Sequence, residues 1–247
     1  MAKLVNDWLD ELAAWSKPFL DALEHPARRH WAPYYLRGLL LPGERKSVQP
    51  MATRLGLPAH DQLHNFIASP SWDGAALEAV LARKADALVG GPDAVLVVDD
   101  TALPKKGSHS VGVAPQYASA LGKNANCQTL VSLTLARGEV PVGVGLRLYL
   151  PQAWAEDAER RARAGVPEAI PGRPKWQIAL EELNRVRAAG AHFGTVLADA
   201  GYGMSAPVPA GLERARAHLG SRDPRSSEGL SCRRRAHLAE RRSRPAS

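Results

Sequence analysis

Two short, unbroken apolar runs, Ala94–Val98 (AVLVV) and Gly194–Ala198 (GTVLA), each stop at an acidic residue. Runs of this length, rich in β-branched residues and bounded by turn formers, are buried strands rather than helices. The first ends in Asp99-Asp100-Thr101 and the second in Asp199. Between them, Gln128–Ala136 and Val140–Leu150 are β-rich and joined by Arg137-Gly138-Glu139, which predicts an antiparallel hairpin. Lys175–Ala189 places Trp176, Ile178, Leu180, Leu183 and Val186 at helical spacing and stops at Gly190. The order strand, hairpin, helix, strand predicts an α/β core with a mixed sheet. In such sheets ligands gather at the carboxyl ends of strands.

The residues before this core have a different period. Leu4, Trp8, Leu12 and Trp15 recur at helical spacing, and Phe19, Leu20 and Leu23 follow Pro18. Further helical stretches are predicted at 30–41, 46–55, 60–68 and 73–89. The chain therefore divides into a helical domain over 1–90, a core over 91–205 and a tail over 206–247. The formal charge of +7 is carried mainly by that tail. From Met204 to Ser247 there are ten Arg and four acids, a net of +6, whereas the preceding residues have 22 bases against 21 acids. Poor in large apolar residues, the tail is expected to be disordered.

Several function classes are excluded early. No apolar run approaches the roughly 20 residues needed to span a bilayer, so no membrane partner is expected. Asp7 and Asp10 interrupt the amino-terminal stretch where a secretory signal needs an apolar segment. Two cysteines, Cys127 and Cys232, make no disulfide framework, and a cytoplasmic location is expected. His60 and His64 lie in HDQLH, which lacks the Glu of a zinc-hydrolase helix, and Gly143-Val144-Gly145 lies within a β-rich stretch rather than opening a helix.

The acids at the strand ends carry the chemical hypothesis. If the two strands are parallel neighbours, about 5 Å apart, Asp100 and Asp199 can share one hard cation, Mg²⁺ or Mn²⁺. The same positions are also common turn formers. The longer context decides between these readings. The run from Val97 to Ala136 (VVDDTALPKKGSHSVGVAPQYASALGKNANCQTLVSLTLA) resembles DDE transposases of bacterial insertion sequences, and VLADAGYG at 196–203 resembles the strand with their second catalytic Asp. LHNF at 63–66 and SPSWD at 69–73 are similar to the amino-terminal region of that family.

The resemblance implies an RNase H-like core with two Asp and one Glu around Mg²⁺ or Mn²⁺. It further implies metal-dependent strand cleavage and transfer, double-stranded DNA (element ends and target) as partner, and action as a homodimer. By motif, Asp100 and Asp199 are the expected metal ligands, with Asp99 as a helper acid on the opposite face of its strand. Lys105, Lys106, His109 and Lys123 are expected to contact DNA phosphates. The third carboxylate should follow Asp199, but Glu213, Glu228 and Glu240 sit in the Arg-rich tail and in no amphipathic helix. The fold expectation is thus an incomplete RNase H-like core, from a truncated or frameshifted transposase inactive on its own. The alternative is a DNA-binding module without catalysis that competes with intact transposase at element ends.

Overall fold

The computed structural model describes residues 2–68, 72–199 and 202. Five helices come first: α1 (Ala2–Asp21), α2 (Pro26–Leu40), α3 (Val48–Arg54), α4 (Asp61–Ala68) and α5 (Ala75–Val89). Helix α1 runs through Pro18 without a break. His25 caps α2 by accepting from the Ala27 amide, 3.2 Å away, and Pro26 follows at the first helical position, where its missing N–H costs nothing. Asp73 accepts from the Ala75 amide (2.9 Å) at the start of α5. Met51, Leu63, Ala82 and Ala85 are buried.

The remaining elements are β1 (Gly91–Pro104), β2 (Ala114–Ala118), β3 (Lys123–Arg137), β4 (Val140–Leu148), the short helices α6 (Gln152–Ala155) and α7 (Ala158–Arg163), then α8 (Lys175–Ala188) and β5 (Phe193–Ala198). Strands β4, β3 and β1 pair antiparallel, and β5 adds to the far side of β1 in parallel, Val98 opposite Ala198. Strand β2 pairs antiparallel with the first residues of β3. This is the mixed α/β sheet that the sequence predicts. The β3–β4 turn is a two-residue loop with Gly138 at φ 61°, the left-handed conformation that matches the twist of a tight hairpin.

Two compact units result. One comprises residues up to Leu88 together with Arg185–Ala191, the other Val89–Asn184 together with His192 onward. Within the second, alternation along the strands sorts the sheet into two unlike faces. Leu96, Val98, Val131, Leu133 and Leu135 are buried on one. Arg147 projects to the same face and pairs with Glu182 of α8 at 2.8 Å, so α8 lies over it. On the other face Leu146 and Leu197 remain 52% and 41% exposed. Gly194 is required beside β1, because a Cβ there would run into the Pro92 carbonyl.

One expectation changes in detail. β1 is longer than the apolar run, because pairing with β3 continues through Asp99-Asp100-Thr101 to Pro104. Residues 102–126 hold the end of β1, β2 and the start of β3. Trp154 is buried and donates to the Val113 carbonyl at 2.8 Å, whereas Trp15 and Trp72 are 49% and 36% exposed. The tail over 206–247, with Glu213, Glu228 and Glu240, lies outside the described residues. Among the described residues no helix is long and apolar enough to cross a membrane.

The unequal faces predict unequal sensitivity. Leu133→Ala should cost about 2–5 kcal/mol of unfolding free energy, as for other buried leucines. Leu146→Ala should cost about 0.5 kcal/mol or less, as for surface positions. Urea unfolding of the two variants measures both, and equal losses would contradict the assigned faces.

Candidate active site

Asp100 and Asp199 come together because β1 and β5 are parallel neighbours. Asp100 shares the buried face with Leu96 and Val98, four and two residues earlier. Asp199 follows the last residue of β5 and is no longer bound by strand alternation. Both acids line one cleft with Tyr149, Pro174, Lys175, Trp176 and Tyr202.

Tyr202 joins the two carboxylates. Its hydroxyl donates to Asp100 Oδ1 at 2.5 Å, and its backbone N–H donates to Asp199 Oδ1 at 3.2 Å. Lys175 Nζ lies 2.5 Å from Asp100 Oδ2 and 5.2 Å from the centre of the Tyr149 ring. Both oxygens of Asp100 are therefore engaged. The Tyr202 hydroxyl is held protonated, its pKa pushed far up by burial first, then by the hydrogen bond to Asp100 and the negative charges of Asp100, Asp199 and Asp99.

Asp99 does something different. Its side chain turns back and accepts from the Asp100 amide at 2.7 Å, and its carbonyl accepts from the Ser132 hydroxyl at 2.9 Å. It does not line the cleft. Of the two neighbouring acids, Asp100 is the one brought to Asp199.

The basic residues expected at this site lie elsewhere in the sheet unit. Lys105 follows the end of β1, its amide donating to the Asn126 carbonyl at 2.9 Å, and Lys106 is exposed beside it. Lys123 is exposed at the first position of β3. His109 lines a separate cleft with Ser108, Trp154, Arg160 and Arg163. Arg160 stacks on Trp154, 3.9 Å from the ring centre, and donates to the Ser108 carbonyl at 3.0 Å. None of the four lines the carboxylate cleft.

Lys175 and Tyr202 are the site residues that motif reasoning did not single out. Tyr202 was within reach, three residues past Asp199 in the DAGYG segment. Lys175 follows from lengths. At about 1.5 Å per helical residue the 14 residues of α8 span about 21 Å. At about 3.3 Å per strand residue the six residues of β5 span about 20 Å. A helix that leads back into a strand of equal length begins beside the strand's carboxyl end.

The donor set fits a small hard cation. Mg²⁺ is commonly held by one or two carboxylates, with water and substrate phosphate completing its shell. The Lys175 ammonium on Asp100 Oδ2 already places a positive charge at this position. Among the described residues no group of three His, Cys, Asp or Glu side chains forms a metal cage.

The profile of the DDE superfamily endonucleases matches residues 18–246. A protein described as a probable transposase for insertion sequence element IS701, from Microchaete diplosiphon, is 29% identical over 199 residues. That alignment covers 80% of this chain and 48% of the relative, so the chain spans about half the length of the curated relative it matches.

The Tyr202 environment has a measurable consequence. A pKa raised by folding stabilises the protein fully below the unfolded value of about 10. That contribution is lost as the pH rises toward the folded value. The stability advantage of wild type over Tyr202→Phe should therefore be constant at neutral pH and shrink above about pH 10. In the folded state both proteins should show the same tyrosinate absorbance up to about pH 11. An extra tyrosine titrating in wild type below that pH would contradict the buried, hydrogen-bonded hydroxyl.

Proposed function

This chain belongs to the DDE superfamily endonucleases, and from that premise we propose that it carries the metal-dependent strand-cleavage site of an insertion-sequence transposase. The observation that carries the reading is the shared cleft of Asp100 and Asp199, just past the point where the parallel pairing of β1 with β5 stops. In this reading the two carboxylates hold Mg²⁺ or Mn²⁺. The bound ion would polarise the scissile phosphate and ease deprotonation of an attacking water or 3′-hydroxyl. The chain's own groups prepare that site. Tyr202, kept protonated, donates to Asp100 and holds its carboxylate in one rotamer. Asp99 fixes the backbone at the Asp100 amide.

DNA is the partner that the family implies. We assign its phosphate backbone to the exposed lysines Lys105, Lys106 and Lys123 and the exposed His109 of the same sheet unit. Backbone contacts of this kind supply most of the affinity for DNA and no sequence preference. Recognition of the element ends is assigned to the helical unit.

A second reading has its own support. The described residues contribute two carboxylates to the cleft, and no group of three. On this reading the chain binds element ends without cutting them and competes with an intact transposase.

One assay separates the two. Labelled duplex carrying element ends is incubated with the full chain and Mg²⁺, and both gel shift and nicking are followed. The enzyme reading predicts nicking that stops with EDTA, returns with Mg²⁺, and falls at least about a hundred-fold in Asp100→Asn and Asp199→Asn with the gel shift kept. A gel shift without nicking at any Mg²⁺ or Mn²⁺ concentration overturns it in favour of the binding module.

A further inference from the structure

We propose that Lys175 is a built-in counter-ion of the carboxylate cleft, one that a divalent ion must displace in order to bind. The inference rests on the reading of Asp100 and Asp199 as metal ligands and adds a control on how that site is loaded. A divalent ion held by the two carboxylates would need an oxygen of Asp100, and each already accepts a hydrogen bond: Oδ1 from the Tyr202 hydroxyl and Oδ2 from the Lys175 ammonium, each at 2.5 Å. The two partners are not equivalent. Tyr202 is neutral, buried and anchored through its own backbone N–H to Asp199. Lys175 carries a full charge on a flexible four-carbon stem, with about a third of its side chain (32%) exposed.

A dication on Asp100 tolerates the hydroxyl hydrogen bond but repels an ammonium at the same carboxylate. Lys175 is therefore the partner that yields. Its ammonium already lies over the Tyr149 ring, 5.2 Å from the ring centre, so an aromatic surface remains for the cation after it leaves Oδ2. Without metal, the same ammonium offsets the charge of Asp100 where Asp99 and Asp199 are close neighbours. Lys175 is thus a positioning residue for Asp100 in the metal-free state and a competitor for the metal.

The test reads metal binding and not turnover. Free Mn²⁺ is followed by electron paramagnetic resonance as it is titrated into the full chain. Wild type is compared with Lys175→Gln, Lys175→Arg and Asp100→Asn, each first checked for native circular dichroism. Lys175→Met serves as a second neutral variant should Lys175→Gln not fold. The neutral variants should bind Mn²⁺ at least about ten-fold tighter than wild type. Lys175→Arg, which keeps the charge, should restore wild-type affinity, and Asp100→Asn should weaken binding. Neutral variants that bind no tighter than wild type, or a Lys175→Arg as tight as Lys175→Gln, overturn the proposal while leaving the metal site standing. An Asp100→Asn that binds Mn²⁺ as wild type does overturns the metal-site reading, and the proposal with it.

Discussion

The parallel pairing of β1 with β5 is the constraint on which the candidate site depends. Antiparallel pairing would send the two chain ends to opposite edges of the sheet and put Asp100 and Asp199 far apart. Parallel pairing with Val98 opposite Ala198 sets them at one edge. It also demands a crossover, because parallel strands cannot be joined by a tight turn. Helix α8 returns the chain to the start of β5, which brings Lys175 to the edge where the acids lie. Gly194 permits the close approach, since any side chain there would meet the Pro92 carbonyl. One pairing register thus sets two carboxylates and a cation.

Electrostatics then dictates the contents of the cleft. Asp99, Asp100 and Asp199 gather negative charge where the pairing of β1 with β5 stops, and all three push the Tyr202 hydroxyl upward. Such a concentration needs compensation. Part comes from donors to the individual carboxylates: the Asp100 amide to Asp99, the Tyr202 hydroxyl to Asp100 and the Tyr202 amide to Asp199. The remainder comes from Lys175. The same field that holds an ammonium is suited to a divalent ion, whose higher charge gains more from two carboxylates.

Much of this was legible in the sequence, for definite reasons. β-Branched runs that stop at acids marked the two strands and their carboxyl ends, and period-3.6 patterning marked α8. Asp100 was preferred over Asp99 by motif, as the acid preceding Thr101, and alternation along the strand turned Asp99 to the opposite face. The length of β1 was less so. Its polar half, from Asp99 to Pro104, has no strand pattern of its own and is extended because β3 pairs with it. Lys175 carries no motif, and its role follows only once α8 and β5 have matched lengths. The lysines of the PKKG segment were expected beside the acids because they are close in sequence. β1 continues past Asp100 to Pro104, and that run of extended chain carries Lys105 and Lys106 away from the cleft.

The central claim is that Asp100 and Asp199 form one cation site, and a crystal structure of the full chain soaked in Mn²⁺ tests it most directly. The account predicts an anomalous difference peak between the two carboxylates, with Tyr202 still on Asp100 and the Lys175 ammonium moved off Oδ2. A map with no peak there at saturating Mn²⁺, and Lys175 still paired to Asp100, would contradict it.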